Sequence, residues 1–433
     1  MSDSLMTLAM PSRRFAFPSL LTTAFLLIVA APADAQYTEK DFPAGAGREI
    51  VTTVCGGCHD PRRVHQGYTP EGWHTVVRMM LNAGAPLPPD KVETLTAYLI
   101  KNFPEQPRPP AAKIAGPVKV NIHLWDVPTP GSRPHDPAVA PDGAIWWSGQ
   151  TANTLGRLDP KTGATKEYPI KTPMSGPHGL VADRDGHIWF AANRAGYVGV
   201  LDPKTGDIKE YVMPDPNARD PHTIAIAPDG RVWFTLQNAN MIGRIDPKTG
   251  EIKLVPSPTR KSKPYGLKFS SDGVPIFCEF GVNRIATVDP DSMTITEYQV
   301  GQPLTRPRRI ALVGDDVYYT DYSRGALGRI NLKTLAVKEW PSPSGPKSQP
   351  YGIASVNGII WYDESRAKPN AIVRFDPRTE TFQTFAIPGG GDIVRNMDVD
   401  AEGRPILSHS LANKIGRVEV LSDRAETRGE GAR

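Results

Sequence analysis

The stretch PHTIAIAPDGRVWFTLQNANMIGRIDPKTG at residues 221–250 decides the fold, because it contains most of a unit that recurs along the chain. Three short apolar runs in it are separated by turn-forming residues such as Asp229-Gly230, and it ends in Asp-Pro-Lys-Thr-Gly. In the preceding copy a fourth run, with alternating polarity, follows at residues 208–212. Four short strands in each repeat are typical of a blade of a β-propeller.

Seven copies of this unit align on one position near the start of the first strand, at intervals of 43 or 44 residues. We therefore predict a mainly β fold, with a seven-bladed β-propeller over residues 118–422 that is preceded by a small all-α domain. Residues 118–127 are similar to the fourth strand of a blade but precede the first complete repeat. We expect this strand to close the last blade and leave no open edge. The aligned residues are His135, His178, His222, Tyr265, Arg308, Tyr351 and Arg395.

The first 35 residues have the pattern of a secretory signal peptide. Arg13 and Arg14 precede an apolar run at residues 20–31, and Ala33-Asp34-Ala35 provides a cleavage site. We predict cleavage after Ala35 and a periplasmic protein. The apolar run is shorter than the roughly 20 residues that a membrane-spanning helix needs, and no later run is as apolar, so we expect no transmembrane segment.

Cys55-Gly56-Gly57-Cys58-His59 has the spacing that attaches a c-type haem. Two thiols at this spacing can form thioethers with both vinyl groups of a porphyrin, and the adjacent His59 is placed to ligate the iron. A redox disulfide would need a βαβ setting, and a zinc site would need a second ligand pair; the surrounding sequence has neither. We predict that residues 36–105 form a cytochrome c-like domain with one covalent haem c.

The sixth ligand of the iron should be a methionine or a histidine. Met79 and Met80 are the first candidates, with His65 and His74 behind them. Helical periodicity slightly favours Met80 on the apolar face with Trp73, which would leave Met79 for the iron, but the pattern alone does not separate two adjacent residues.

Three short motifs in residues 40–105 bear on this choice, namely Glu71-Gly72-Trp73, Arg78-Met79 and Tyr98-Leu99. In them the segment resembles the haem domain of quinohaemoprotein amine dehydrogenases and other small bacterial cytochromes c. The resemblance implies that Met79 is the sixth ligand, with Met80 as the alternative.

Composition and charge limit the remaining possibilities. The net charge of +4 comes from 50 basic and 46 acidic residues that are evenly spread, which argues against nucleic-acid binding. The three cysteines exclude a disulfide-stapled scaffold. Residues 106–117 are rich in proline and read as a linker, and residues 423–433 are polar and predicted to be disordered.

Three motifs recur in the repeat region, namely Pro-His-Gly-Leu at 177–180, Asp-Gly-x-x-Trp-Phe at 229–234 and Ile-Gly-Arg at 242–244. In them the region resembles the virginiamycin B lyase (streptogramin lyase) family of seven-bladed propellers. The resemblance implies a C–O lyase that opens a cyclic depsipeptide ester. Such an enzyme would use a metal-bound pair of acids and a histidine base, drawn from Glu-Pro-His and Trp-Phe-Thr-Glu elements.

This chain departs from that pattern in two blades. Asp220-Pro221-His222 is similar to the first element, but its blade ends in Thr235-Leu236, with no acid. The run Trp361-Tyr362-Asp363-Glu364 is similar to the second element, but its blade carries Tyr351 where the histidine would be. No single blade holds both elements.

Candidate functional residues of a propeller lie where the blades converge. The first strand begins, and the second ends, on one face near the axis, so side chains at both points should share one funnel. Three or four histidines there could hold a transition metal, whereas carboxylates would suit Mg²⁺ or Ca²⁺. The funnel candidates are His135, His178, His222, Tyr265, Glu279, Arg308, Asp321, Tyr351, Glu364, Arg395 and His409.

An elimination transfers no electrons and needs no cytochrome, so the haem motif favours a different function. We predict a periplasmic electron-transfer protein with a dehydrogenase-like propeller that binds a small-molecule substrate. Its haem would pass electrons to a soluble or membrane-bound redox partner. The alternatives are a lyase with an accessory cytochrome, or a non-catalytic scaffold that docks a redox partner.

Overall fold

The computed structural model describes residues 41–421. The predicted signal peptide at 1–35 and the predicted disordered tail at 423–433 lie outside this range. From Pro43 onward the chain forms one compact unit, which includes a short helical segment and a large β region. Within the described range, no helix is both long enough and apolar enough to cross a membrane.

The helical segment contains three α-helices, of which the second has a well-defined start. The hydroxyl of Thr69 accepts a hydrogen bond from the Gly72 amide at 3.1 Å, and Pro70 occupies the first helical position. The helices are α1 (Arg48–Ile50), α2 (Pro70–Asn82) and α3 (Val92–Asn102), and α1 continues as a π-helical turn (Val51–Cys55). Two 3₁₀ turns lie between them, at Pro61–Gln66 and Pro89–Lys91, and a third lies in the β region at Pro388–Gly390.

Helix α2 packs against both the rest of the helical segment and the β region. The indole of Trp73 donates a hydrogen bond to the Phe103 carbonyl at 2.8 Å. Met79 is buried and Met80 is only partly buried, the reverse of what periodicity predicts. The loop at Gly131 lies close to the backbone of this part of α2: a Cβ atom built on Gly131, whose φ is +67°, would lie 3.1 Å from the Met79 amide nitrogen.

The β region is a seven-bladed propeller, as predicted. It contains seven four-stranded antiparallel sheets, and strand β1 is the outer strand of the last sheet, where it pairs with β28. The described strands are β1 (Lys119–Asp126), β2 (Pro134–Val139), β3 (Ile145–Gly149), β4 (Thr154–Leu158), β5 (Thr165–Pro169), β6 (Pro177–Ala182), β7 (Ile188–Ala192), β8 (Tyr197–Leu201), β9 (Ile208–Val212), β10 (Pro221–Ile226), β11 (Val232–Leu236), β12 (Met241–Ile245), β13 (Ile252–Pro256), β14 (Pro264–Phe269), β15 (Pro275–Glu279), β16 (Arg284–Val288), β17 (Ile295–Gln299), β18 (Pro307–Val313), β19 (Asp316–Asp321), β20 (Ala326–Asn331), β21 (Val337–Pro341), β22 (Pro350–Val356), β23 (Ile359–Glu364), β24 (Ala371–Asp376), β25 (Thr381–Ala386), β26 (Val394–Val399), β27 (Pro405–His409) and β28 (Lys414–Leu421).

The core of the propeller lies between adjacent blades. Trp146 and Tyr168 of the first blade pack with Leu180 and Phe190 of the second, and the other blade interfaces repeat this arrangement. Burying one such side chain stabilises the fold by roughly 1.5–3 kcal/mol. Alternating side chains of each sheet therefore hold neighbouring blades in a fixed register around the axis.

The first strand of every blade begins with the same irregularity. In the first blade Pro134 pairs with Gly149 and the next pair is Pro137 with Trp147, so two residues of the first strand oppose one of the second. The six other blades show the same shift. A β-bulge of this kind re-aims the extra side chain. In the four blades where the extra residue is not glycine, a second side chain therefore faces the axis, namely Asp136, Thr223, Arg309 and Asn396.

The helical segment sits on the face of the propeller where the first strands begin. The Asn82 side-chain amide donates to the carbonyls of Pro130 and Gly131 at 2.9 and 3.1 Å, in the loop that leads into β2. The predicted linker at 106–117 runs along the sixth blade, where Ala111 and Lys368 pair through their backbones. Both connections tie the helical segment to the propeller.

Candidate functional site

Aromatic rings from successive blades line the axis at the starts of the first strands. The ring centroids of His135 and His178 are 3.6 Å apart, those of His178 and His222 are 3.8 Å apart, and those of His222 and Tyr265 are 4.0 Å apart. The hydroxyls of Tyr265 and Tyr351 hydrogen-bond at 2.5 Å. The structure thus brings these five predicted residues together, and all five are almost fully buried.

A buried ion pair crosses the axis directly beneath these rings. One guanidinium nitrogen of Arg309 lies 2.9 Å from one carboxylate oxygen of Asp136 and 3.3 Å from the other, and a second nitrogen donates to the Thr223 hydroxyl. The side-chain amide of Asn396 also donates to Asp136, at 3.0 Å. This bridge separates the funnel from a channel cavity of about 220 Å³ on the far side.

Sequence reasoning missed Asp136 and Arg309 because it took only one residue from the start of each first strand. The bulge at the start of each first strand turns the following residue toward the axis as well. The signal in the sequence is the pair of polar residues after the first proline, as in His135-Asp136 and Arg308-Arg309.

Hydroxyl and thiol groups near the ends of four of the second strands hold the axial residues in place. The Ser148 hydroxyl donates to the backbone carbonyl of His178 in the next blade, and the Thr235 hydroxyl does the same to Tyr265. Cys278 has this position in the fourth blade, where its thiol donates to the Arg308 carbonyl at 3.0 Å. Cys278 therefore links two blades and takes no part in the funnel chemistry.

The predicted acids at the ends of the second strands turn toward loops. Asp321 accepts hydrogen bonds from three backbone amides, including that of Arg306 at 3.0 Å. Glu364 accepts from the Ser342 hydroxyl at 2.7 Å and the Ser344 amide at 2.8 Å. Glu279 accepts from the Ser257 hydroxyl. These hydrogen bonds fix loops around the funnel.

The last predicted funnel candidates differ in their partners. His409 is buried, with its Nδ1 at 3.6 Å from Asp392, and neither ring nitrogen has a hydrogen-bond partner among the described residues. The Arg395 side chain donates to the Ser410 hydroxyl at 2.7 Å. Its charge reaches the axis, because it contributes to lowering the pKa values of His135 and Tyr351.

The three axial histidines are neutral. Burial is the main cause that lowers the pKa of His135, His178 and His222 well below the usual value, and nearby guanidinium groups lower it further. The 2.8 Å contact between His135 Nδ1 and Asp136 is therefore a hydrogen bond from a neutral imidazole. Neutral imidazoles beside several arginines indicate a funnel of positive potential.

Arg308 fills an aromatic cage at the axis. Its guanidinium carbon lies 3.7 Å from the ring centroid of Tyr351 and 4.1 Å from that of Tyr322. Burial raises the pKa of the Tyr351 hydroxyl, but the charges of Arg308, Arg395 and Arg309 outweigh it and hold the pKa below its usual value. The cage thus holds a cation of the protein itself.

The buried carboxyl of Glu279 should make the stability of the folded protein depend on pH. Burial raises the pKa of Glu279 to about 7 in the folded protein, against 4.5 for the free group. Because the pKa of Glu279 is higher in the folded protein than in the unfolded chain, protonation of Glu279 adds to the free energy of unfolding. This contribution is complete below about pH 4.5 and is lost as the pH rises through 7. We expect the stability of the native chain relative to Glu279→Gln to fall by roughly 2 to 3 kcal/mol between about pH 5 and about pH 8. Urea unfolding of both proteins measures this difference, and a constant difference across that range would contradict the prediction.

The Cys55–His59 turn has features that fit a covalently attached haem. Cys55 and Cys58 are both free thiols, one partly buried and the other exposed. His59 Nδ1 contacts the Asp60 carbonyl at 3.1 Å, which leaves Nε2 available as a ligand. A Cβ atom at Gly56 would lie 2.2 Å from the Thr52 carbonyl oxygen, so the turn requires glycine there.

The candidate sixth ligands have different surroundings. Met79 is buried beside the propeller loop at Gly131, and Met80 is partly exposed. The ring of His65 stacks on Phe103 with a centroid distance of 5.4 Å, and His74 is exposed on α2. The choice between Met79 and Met80 stays a prediction.

The residues present do not fit the metal-bound acid pair that the lyase resemblance implies. Asp220 accepts hydrogen bonds from the Asn238 backbone and side chain at 2.7 and 2.8 Å, so its carboxylate is engaged in a loop. Leu236 ends the second strand of the same blade, where the second acid would stand. In the funnel, His135, Asp136 and His178 place ligand atoms within 4.8 Å of one another, but Arg309 already neutralises Asp136.

Comparisons with known proteins agree with this fold. The model of the virginiamycin B lyase family matches residues 113–353, more than half of the chain. A streptogramin B lyase structure is 26% identical with a TM-score of 0.64, over 70% of this chain and 98% of its own. A catalytically inactive variant of virginiamycin B lyase from Staphylococcus aureus with quinupristin is 24% identical, with a TM-score of 0.63, over 70% of this chain and 100% of its own.

A further solved structure is similar to this chain in its fold alone. Hydrazine synthase from Kuenenia stuttgartiensis is 16% identical, with a TM-score of 0.56, over 67% of this chain and 96% of its own. A comparison with curated protein sequences gives no match. The repeat pattern, the seven sheets and the match over residues 113–353 lead to one conclusion: the chain belongs to the virginiamycin B lyase family.

Proposed function

We propose that this chain is an exported monohaem c-type cytochrome joined to a lyase-like propeller, and that it acts in periplasmic electron transfer as a dehydrogenase-like module. The observation that carries the proposal is the Cys55-Gly-Gly-Cys58-His59 turn, in a helical segment that lies on the funnel face. A c-type haem bound there supplies reversible one-electron transfer between ferric and ferrous iron. Cys55 and Cys58 would hold it covalently, and His59 Nε2 would ligate the iron.

The surroundings of this turn support the proposal. Cys58 is close enough to Arg194, just after the end of β7, to affect the pKa of that guanidinium. The haem-attachment turn therefore lies beside the end of the propeller that carries the axial histidines. This proximity suits transfer of electrons between a molecule in the funnel and a group held by the helical segment.

The test uses the full chain, exported with a haem-maturation system and kept under anaerobic conditions. We expect its haem to be reduced and reoxidised reversibly, and the reduced form to pass its electron to a soluble cytochrome c. Rapid-mixing absorption spectroscopy follows both haems. A haem that cannot exchange electrons with this acceptor, or a chain without haem, would overturn the proposal. Electron exchange together with failure of every small molecule to reduce the haem would favour the docking scaffold.

Because the chain belongs to the virginiamycin B lyase family, lyase activity is the alternative function to test. Because Leu236 replaces one acid and loop hydrogen bonds engage Asp220, we expect quinupristin to stay intact when it is incubated with this chain and Mg²⁺. Mass spectrometry of the antibiotic measures ring opening, with a virginiamycin B lyase as the positive control. Cleavage at a rate comparable with that control would show that the chain is a lyase.

A further inference from the structure

Charges that are evenly spread along the sequence are separated in space by the propeller. The loops that lead into the fourth, fifth and sixth blades lie on the funnel face, at residues 257–263, 300–306 and 342–349. They contain no acid and five basic residues, namely Arg260, Lys261, Lys263, Arg306 and Lys347. The turns between the second and third strands of these blades lie on the same face and contain no acid either.

The opposite end of the same three blades has the opposite charge. Its turns are residues 270–274, 289–294, 314–315, 332–336, 357–358 and 377–380. They contain five acids and two basic residues. This part of the propeller therefore has a basic funnel face and an acidic far face.

The largest group of basic residues lies on the loop at 257–263, which we call the basic loop. Arg260, Lys261 and Lys263 are all exposed. In the same blade Arg284 pairs with Glu297 at 2.5 Å, but none of the three cations of the basic loop pairs with an acid among residues 41–421. Three charges within four residues are thus left to solvent at the funnel mouth.

The backbone of the basic loop is held in place from below. Ser262, between the two lysines, is fully buried, and its hydroxyl donates to the Asn240 side-chain oxygen at 3.1 Å. Its carbonyl accepts a hydrogen bond from the Gly281 amide at 2.7 Å. The amide and hydroxyl of Thr259 donate to the Glu297 carboxylate at 2.9 and 2.6 Å. Because the loop is already ordered, a partner that binds it loses little affinity to loop ordering.

The loop into the next blade adds an apolar side chain to this charged surface. Leu304 is 70% exposed. The guanidinium of Arg306 donates to the carbonyls of Pro303 and Thr305 at 2.8 and 2.7 Å, so the turn that displays Leu304 is fixed. An apolar contact within a polar, charged rim is typical of a surface that binds another protein.

The helical segment sits on the other side of the ring of blades. Asn82 contacts Pro130 and Gly131 in the loop into the first blade. A Cβ atom on Gly84 would lie 3.8 Å from the Met174 sulfur, in the loop into the second blade. The basic loop and Leu304 belong to the fourth and fifth blades, so a protein bound there would share the funnel face with the helical segment.

We propose that the basic loop and the Leu304 loop dock an acidic protein on the funnel face. That this protein is the redox partner rests on the proposed function, whereas the docking itself does not. A surface of one charge steers a partner of the opposite charge and raises the association rate by a factor of about 10 to 1,000. The acidic far face repels the same partner, so the two ends together orient its approach.

The first arm of the test measures electron transfer from the reduced, exported full chain to plastocyanin, a soluble acidic copper protein. Rapid mixing at several salt concentrations gives the second-order rate constant, which should fall as salt is added. Reversing the charges of the basic loop together, by Arg260→Glu, Lys261→Glu and Lys263→Glu, should lower this constant about tenfold or more at low salt.

The matched control reverses three exposed lysines in turns at the far face, by Lys161→Glu, Lys204→Glu and Lys248→Glu. It changes the net charge of the chain by the same amount and should leave most of the rate. A basic-loop variant that reacts as fast as the native chain, or a control that slows as much as this variant, would overturn the proposal.

The second arm needs no haem. Carbodiimide coupling joins a lysine amine to a carboxylate across a contact, and peptide mass spectrometry locates the joined residues. With plastocyanin, we expect cross-links at Lys261 and Lys263 that disappear at high salt. Cross-links spread equally over these two lysines and the three control lysines would overturn the proposal. So would binding of anionic phospholipid vesicles through the basic loop without any cross-link to plastocyanin.

The two arms separate the failure of this proposal from the failure of the proposed function. Cross-links at the basic loop without electron transfer would uphold the docking surface and refute its redox role. A chain without haem would refute the proposed function, and the cross-links alone would then decide whether the basic loop docks an acidic protein.

Discussion

Replacing Cys55 and Cys58 together by alanine is expected to abolish covalent haem attachment. The two thiols are the groups that would form the thioether bonds, and both are free in the folded chain. After denaturation and acid extraction, the variant should retain no haem, whereas the native chain should keep its haem on the polypeptide. Haem staining of a denaturing gel and the absorption spectrum measure the loss.

Cys278→Ala is the matched control for this prediction, because it removes the third cysteine of the chain. Its thiol links the fourth and fifth blades through the Arg308 carbonyl, far along the chain from the haem motif. This variant should keep the full haem content and lose only stability. Haem content that falls equally in Cys278→Ala and in the double variant would contradict the assignment of Cys55 and Cys58.

The bridge between Asp136 and Arg309 should dominate the stability of the propeller centre. Both side chains are about 3% exposed or less, and the pair joins strands that are 173 residues apart. Removing one partner leaves a buried charge without compensation, so Asp136→Asn or Arg309→Met should each lower the free energy of unfolding by about 3 to 5 kcal/mol. Urea unfolding followed by tryptophan fluorescence measures the loss.

Two comparisons make this second prediction specific. The double variant should lose clearly less than the sum of the single losses, because it leaves no unpaired charge. Asp315→Asn removes the partner of Lys333 from an exposed pair and should cost no more than about 1 kcal/mol. Equal losses for the buried and the exposed pair would show that the bridge does not hold the blades together.

The architecture could be predicted from sequence because each blade is built from local signals. Turn residues such as Asp229-Gly230 and the buried pair Trp233-Phe234 recur with a fixed period, and the period fixes the number of blades. The side chains at the starts of the first strands converge for the same reason, as His135, His178 and His222 do.

The finer arrangement of the funnel depends on contacts that a repeat pattern does not contain. Asp136 and Arg309 face the axis because of a backbone bulge, and their pairing joins blades distant in sequence. Glu279, Asp321 and Glu364 turn toward loops because serine hydroxyls and backbone amides there donate hydrogen bonds to their carboxylates. Met79 is buried and Met80 is partly buried, although helical periodicity predicts the reverse.

The haem content of the exported chain tests the central claim most directly. A preparation made with a haem-maturation system should yield a mature protein that begins at Gln36, with the mass of one haem added through Cys55 and Cys58. Intact-protein mass spectrometry and the pyridine haemochrome spectrum give this stoichiometry. A folded, exported chain that is colourless and still carries both thiols free would contradict the account.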